Sequence, residues 1–267
     1  PRFTFKADAE DIQYDYLQIL LDALAARGLH YVAVEGASPT NADVEFPAIE
    51  FNEFCEPQGL PTDVRLTDRD VMLVRSGLEV GMSMADNFMA AFPIELPTYI
   101  PTPVGLAPAL YVAEFTRGWG WLDVTVKDQS YRVVNAHLEI GGRDTAPDAG
   151  LNLVQFFQAF ELGTIATSLD APVIVMGDMN FEPGGPEYTA LLGDVSGFHG
   201  RTLRAHGLAD AWTLAGHAEA AGDTIPREGR NPRRIDHCFV TTDLADRVEA
   251  MTMKMRKDEV TDGFKAA

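Results

Sequence analysis

Residues 171–188, Ala-Pro-Val-Ile-Val-Met-Gly-Asp-Met-Asn-Phe-Glu-Pro-Gly-Gly-Pro-Glu-Tyr, constrain this chain more than any other stretch. The apolar, β-branched run 171–176 is too short for a helix and reads as a strand buried on both faces. It follows a segment of helical spacing, 151–169, with Leu153, Val154, Phe157, Phe160 and Ile165 available for burial and Gln155, Gln158 and Glu161 beside them. A helix feeding a fully buried strand requires a layered fold. Further apolar or alternating runs at 109–115, 121–127, 131–136 and 235–240 read as strands, giving an α/β (α+β) class with sheets inside and helices outside.

The rest of the chain supplies further elements. Residues 11–26 place Ile12, Tyr16, Ile19, Leu20 and Leu24 near one helical face, and Gly28 follows as a stop. A short strand is expected over 29–34. The stretch 36–67 reads as a long connection with one strand near 48–54. Residues 70–75 form a strand whose hairpin partner is 79–84 across Ser76-Gly77, and the proline-rich stretch 92–108 reads as a loop. No repeat or linker divides the 267 residues, so one domain is expected.

Composition decides what such a domain can meet. Hydrophobic residues make up 46 %, enough for a large core, while the formal net charge is -19. A surface this acidic repels polyanions as a whole, so any attraction for nucleic acid must be local or carried by bound cations. That favours small or lipid-like phosphate esters among phosphate-bearing partners. The two cysteines, Cys55 and Cys238, form no disulfide framework, and Cys238 reads as a small buried hydrophobe. No stretch of about 18 apolar residues offers a transmembrane segment. The chain opens Pro1-Arg2-Phe3-Thr4, and its natural N-terminus is expected to lie outside this sequence.

Three segments carry candidate chemistry. Asp178 and Asn180, two apart at the end of the 171–176 strand, can hold a hard cation, a water or a phosphate oxygen, or can simply cap their own turn. Asn135 and His137 share one face of the strand 133–140, where a histidine is suited to proton transfer or to a satisfied place in the core. Asp236 and His237 lie in an apolar strand and face opposite sides. A carboxylate buried there either orients a histidine from elsewhere or pairs with Arg233 or Arg234, and His237 reads as structural. Trp119 and Trp121, beside Arg117, read as buried packing, with the lining of a cleft as the alternative.

The ordered set Asn135-Ala-His137-Leu138, Gly177-Asp-Met-Asn180 and Arg234-Ile-Asp-His-Cys-Phe-Val240, with Gly207 to Trp212 before the third, resembles the signatures of the endonuclease/exonuclease/phosphatase superfamily. The resemblance implies a four-layer sandwich of two packed mixed sheets flanked by helices. It implies a metal-dependent hydrolase of phosphodiester or phosphomonoester bonds, nuclease-like or phospholipase-like, using Mg²⁺ or another divalent cation such as Mn²⁺ or Ca²⁺. In that scheme His137 contacts the scissile phosphate, and Asp178 and Asn180 position water and hold the metal. Asp236 orients the family's final histidine, and Asn135 braces its neighbours. The substrate would be a nucleic acid or a phospholipid headgroup, and no protein partner is implied. Against the pattern, His237 replaces a more usual tyrosine. The family's first strand, its principal metal-binding glutamate and its closing Asp-His pair are absent, so the chain as it stands is expected to be inactive. A non-catalytic binding or scaffold module on the same fold is the alternative.

Overall fold

The computed structural model describes residues 9–51, 57–102, 105–141, 149–193, 196–198, 201–202, 207–219, 221–224 and 233–251. They group into two compact units, the first comprising Pro1–Ser130 with Asn135–His137, the second Tyr131–Val134 with Leu138–Ala267. Each combines sheet and helix, so the mixed α/β class expected from the periodicity is the class observed. Cys55 and the closing segment 261–267 lie outside the described residues.

In the first unit, helix α1 (Tyr16–Ala25) starts where the Asp15 carboxylate accepts the Gln18 N–H at 3.1 Å, five residues later than expected. None of its residues is buried; Ile19 and Leu20 are 52 % and 47 % exposed, so the apolar face read from spacing lies at the surface. Strand β1 (Tyr31–Ala33) pairs antiparallel with β4 (Leu73–Arg75). The expected partner of β4, now β5 (Val80–Asn87), pairs instead with β8 (Gly118–Val126), where Met84 faces Trp121. The longer strand wins because β8 is buried along Gly118–Leu122 and gives β5 more ladder than a three-residue β4 can.

Two segments read as connections are long hairpins. β2 (Thr40–Phe51) pairs with β3 (Pro57–Arg69), and β6 (Phe92–Thr102) with β7 (Gly105–Phe115). Prolines led the sequence reading to a loop at 92–108. The register shows why they are tolerated: Pro93, Pro97, Pro101 and Pro108 all fall on the same alternate set of cross-strand pairs. In the alternate set of pairs that exchange no hydrogen bonds, the N–H groups of both strands point away from the partner, so prolines confined to one such set remove no rung of a two-stranded ladder.

The first unit's core joins Ala37, Val74 and Leu122, with Val34, Met72, Val80 and Val124 packed around them. Trp119 and Trp121 are both buried, as expected.

In the second unit the sheet runs β13 (Leu208–Asp210), β14 (Asp236–Thr241), β10 (Val173–Asp178), then the Tyr131–Val134 part of β9 (Gln129–His137). β14 is antiparallel to both β10 and β13. Helices α2 (Ala149–Ser168), α3 (Pro186–Leu192) and α4 (Ala211–Leu214) belong to this unit, as does a small antiparallel pair, β11 (Ser196–Phe198) and β12 (Arg201–Thr202). α2 departs in part from the expected facing: Val154, Phe160 and Ile165 are half-buried, but Leu153 and Phe157 are 52 % and 44 % exposed, while Gln155 and Gln158 are buried. The glutamines turn inward because they cap backbone groups that would otherwise be buried without partners. Gln158 Oε1 accepts the Glu139 N–H at 2.7 Å, and Gln155 Nε2 donates to the Met179 carbonyl at 3.2 Å.

Close packing in the first unit leaves no room beside Gly120, where a methyl group would collide with the Ala37 carbonyl. Gly120→Ala is therefore expected to destabilise the protein by roughly 1–3 kcal/mol through overpacking. Urea denaturation checks this; a midpoint equal to wild type would show that the strand relaxes at no cost.

Candidate active site

Strand β10 ends at Asp178, and the chain turns there through Met179 and Asn180. The Asn180 N–H donates to Asp178 Oδ1 at 2.9 Å, so the side chain of Asp178 does cap its own turn, through one oxygen. Asn180 adopts a left-handed backbone with φ 55°, a conformation asparagine tolerates better than most residues. Its Nδ2 donates to the Leu138 carbonyl at 2.8 Å. Because a carbonyl only accepts, that bond fixes the amide orientation and leaves Oδ1 as the end facing other partners. Met179 is fully buried, its N–H held by the Ile235 carbonyl at 2.8 Å.

Asp236, the first residue of β14, is the register partner of Asp178. Directly opposed residues of an antiparallel pair project to the same face, so two carboxylates stand side by side at the strand ends, an arrangement that costs energy unless something positive lies between them. The sequence places Asp236 as a buried carboxylate that either orients a histidine from elsewhere or pairs with Arg233 or Arg234. It is exposed instead, and both arginines are engaged elsewhere: Arg233 with Glu182 at 2.5 Å, Arg234 with Asp210 at 2.8 Å. The Thr224 hydroxyl oxygen accepts the N–H groups of Ile235 and Asp236, fixing the entry to β14.

Behind this turn lies a polar network that the sequence did not reveal. Arg234 and Asp210 form a buried ion pair with side chains 2 % and 1 % exposed. Asp210 also accepts from the Tyr188 hydroxyl at 3.1 Å and from the Trp212 N–H at 2.9 Å. Arg234 donates further to the Glu219 carbonyl, and its Nη1 lies 3.1 Å from His237 Nδ1. His237 Nε2 lies 3.0 Å from the Phe181 carbonyl. A guanidinium only donates and a carbonyl only accepts, so His237 is neutral with its proton on Nε2. Burial pushes its pKa down to about 4, against a smaller upward pull from the Phe181 carbonyl and with a further downward push from Arg234. Burial likewise raises the Tyr188 hydroxyl, and pushes the Cys238 thiol up to about 11.

His137 closes β9 in the first unit, half-buried, with Asn135 two residues earlier on the same face and also half-buried. Its Nδ1 lies 3.4 Å from Asp70 Oδ1 and 3.2 Å from Arg117 Nη1. Asp70 is held in turn by Asn41 Nδ2 at 3.0 Å, and Arg117 lies 3.8 Å from Asp68. Asn41 is buried. Arg117 carries a non-glycine positive φ of 41° just before β8, the kind of backbone strain that clusters at functional sites. Asp70 accepts a proton from Nδ1, whereas Arg117 gives one to it, so the two neighbours favour opposite tautomers of the ring. Asp70 and Asn41 went unnoticed as site residues, and Arg117 was noted only beside the tryptophans, because each lies far along the chain from His137. The Asp70 carboxylate opening the 70–75 strand was the one available signal.

No protein-family model matches the chain, and no curated relative does. Solved structures similar to it include truncated TDP2 of Caenorhabditis elegans, at 15 % identity, 85 % of this chain, 66 % of that one and a TM-score of 0.39. An endonuclease/exonuclease/phosphatase family protein of Bacteroides thetaiotaomicron matches at 15 %, 85 %, 66 % and 0.41. The human Nocturnin catalytic domain with bound sulfate follows at 15 %, 85 %, 65 % and 0.40. The chain thus spans just under two-thirds of the length of these three.

The buried His237 makes stability depend on pH. Between about pH 6.5 and 4 the unfolded chain takes a proton at this residue that the folded chain refuses, so stability falls as pH drops through that window and levels off below it. The loss amounts to ~3 kcal/mol at its fullest. Denaturant midpoints measured across that range should show the slope in wild type and lose most of it in His237→Phe. Identical slopes would mean that His237 is protonated in the native fold.

Proposed function

We propose that the chain is a phosphoesterase in which an activated water attacks phosphorus and an ester oxygen leaves. The observation that carries this reading is the opposition of Asp178 and Asp236 across β10 and β14, with Asn180 two residues on in the turn that Asp178 caps. Two carboxylates and an amide oxygen are the donors a hard divalent cation takes, and they fit Mg²⁺, Mn²⁺ or Ca²⁺. Such a cation, when bound, neutralises and polarises the phosphate.

The protein groups then have distinct assignments. Asp178 accepts hydrogen bonds from the attacking water and takes up its proton as the new phosphorus–oxygen bond forms. Asn180 Oδ1 fixes the orientation of that water or of the cation's own hydration shell. Within the first unit, His137, its Nδ1 close to Asp70, is a group suited to proton transfer, and the Arg117 guanidinium beside it carries positive charge of the kind a phosphate takes. Asn135 supports that strand end. Asp236 contributes charge opposite Asp178, and in the family's scheme it orients a further histidine.

A cavity of about 400 Å³ opens beside Asn180, bordered also by Asn152, Gln155, Glu182, Glu187 and Arg233. Among the described residues that border it, the one cation, Arg233, is already paired with Glu182. Carboxamides and carboxylates suit a hydroxylated, uncharged group, and the net charge of -19 points the same way, toward small phosphate esters or headgroups and away from long nucleic acids. Among the described residues no helix is long and apolar enough to cross a membrane.

A second reading has one observation in its favour. Among the described residues no group of three or more His, Cys, Asp or Glu side chains is set to hold a metal ion. A non-catalytic module would bind phosphate esters without turning them over, and Mg²⁺, which gives up its waters reluctantly, would bind such a sparse set weakly. Slow turnover by the chain as it stands is therefore expected.

The deciding experiment follows turnover of a generic phosphodiester, a sugar phosphate, a nucleic acid and a phospholipid with and without divalent cation. His137→Ala should lower kcat by roughly a hundredfold or more with unchanged circular dichroism. Asp70→Asn should lower it in the same direction. Near-normal turnover by a folded His137→Ala variant would remove that residue from the mechanism, and binding without cation-dependent turnover in wild type would favour the module.

A further inference from the structure

We propose that His237 is a positioning residue for the Asp178–Asn180 turn: its Nε2–H grips the Phe181 carbonyl and thereby holds Asn180 in its left-handed backbone with Oδ1 facing outward. This rests on the reading of Asn180 as a site residue.

The geometry is closed on every side. His237 is 4 % exposed and Phe181 3 %, so no water competes for the Phe181 carbonyl along that bond. The ring cannot turn over without breaking the Arg234 contact, because Nδ1 is the acceptor that the guanidinium requires. Arg234 is itself fixed by Asp210 and by the Glu219 carbonyl. Aromatic faces complete the cage: Phe181 lies 5.1 Å from the imidazole, and Phe239 stacks on it at 5.4 Å.

The turn is thus gripped on both sides of its unusual residue. Met179 is tied through its N–H to Ile235 and through its carbonyl to Gln155, and residue 181 is tied to His237. Asn180, between them, is the one residue of the turn with a positive φ outside glycine. A left-handed residue gains nothing locally from that backbone, and it persists where its neighbours leave no alternative. Release of Phe181 would let Asn180 relax toward a right-handed conformation and swing its carboxamide off the Leu138 carbonyl.

A merely structural role for His237 would lower stability and leave the Asn180 side chain where it is. Nuclear magnetic resonance on the protein separates the two. In His237→Phe, which keeps a ring and removes the donor, exchange of the Asn180 side-chain NH₂ should be about tenfold faster, while backbone amides of β5 and β8 keep their protection. His237→Gln, whose carboxamide can still donate to Phe181, should restore slow exchange. Unchanged Asn180 exchange in folded His237→Phe overturns the proposal, and so does exchange in His237→Gln as fast as in the phenylalanine variant. Where neither variant folds, nitrogen shifts of the wild-type ring decide: the neutral Nε2–H form supports the proposal and the Nδ1–H form overturns it. None of these readouts involves turnover, so a protein without phosphoesterase activity would defeat the functional reading and leave this one standing or falling by itself.

Discussion

The second unit is organised around a guanidinium taken out of water. Arg234 is buried with both terminal nitrogens meeting acceptors already in place, the Asp210 carboxylate, the Glu219 carbonyl and the lone pair of His237, while its Nε meets none. The pair itself adds little net stability, since desolvating two charges offsets most of their attraction, but removing either partner would strand the other at a cost of about 3–5 kcal/mol. What the network gives is uniqueness. Asp210 caps α4 and holds Tyr188 of α3, Arg234 leads into β14, and His237 reaches across to the turn after β10. Four elements are fixed to one another by directional bonds, where apolar contacts alone would allow them to slide.

On the phosphoesterase proposal, that rigidity has a chemical use. The end of β10 gathers groups that repel one another or sit in costly conformations: opposed carboxylates at 178 and 236, and a left-handed asparagine at 180. None of these is what a chain would choose for stability. They persist because buried glutamines of α2 and the neutral imidazole hold the backbone around them. In the first unit the same division of labour recurs on a smaller scale, with buried Asn41 holding Asp70, and Asp70 meeting His137. On the phosphoesterase proposal, an acidic protein needs its positive charge supplied at a point, by one arginine, one histidine or a bound cation, and not by its surface.

Several misreadings of the sequence have a shared physical origin. The hairpins of β2–β3 and β6–β7 were hidden because proline is a local signal against strands, while its tolerance depends on register, which only the partner strand defines. The inward glutamines of α2 ran against hydrophobic spacing because their partners, the Glu139 N–H and the Met179 carbonyl, belong to other elements. The pairing of β4 with β1, in place of β5, was likewise a competition among strands distant in sequence.

The sequence by itself determined the elements whose signal is local. Strands β8, β9, β10 and β14 and helix α2 follow from apolar runs with β-branched residues or helical spacing between turn residues, and the Gly-Asp-Met-Asn ending of β10 marks a turn rich in oxygen donors. It also set the charge of -19 that weighs against polyanions. Only the tertiary structure decided which groups face which: that Asp236 is exposed and opposes Asp178, that Arg234 belongs to Asp210, that His137 meets Asp70 and Arg117, and that His237 is a neutral donor to Phe181. Each of these joins residues from separate elements, and the energies that select them, desolvation and directional hydrogen bonding, depend on distances that no spacing along the chain encodes.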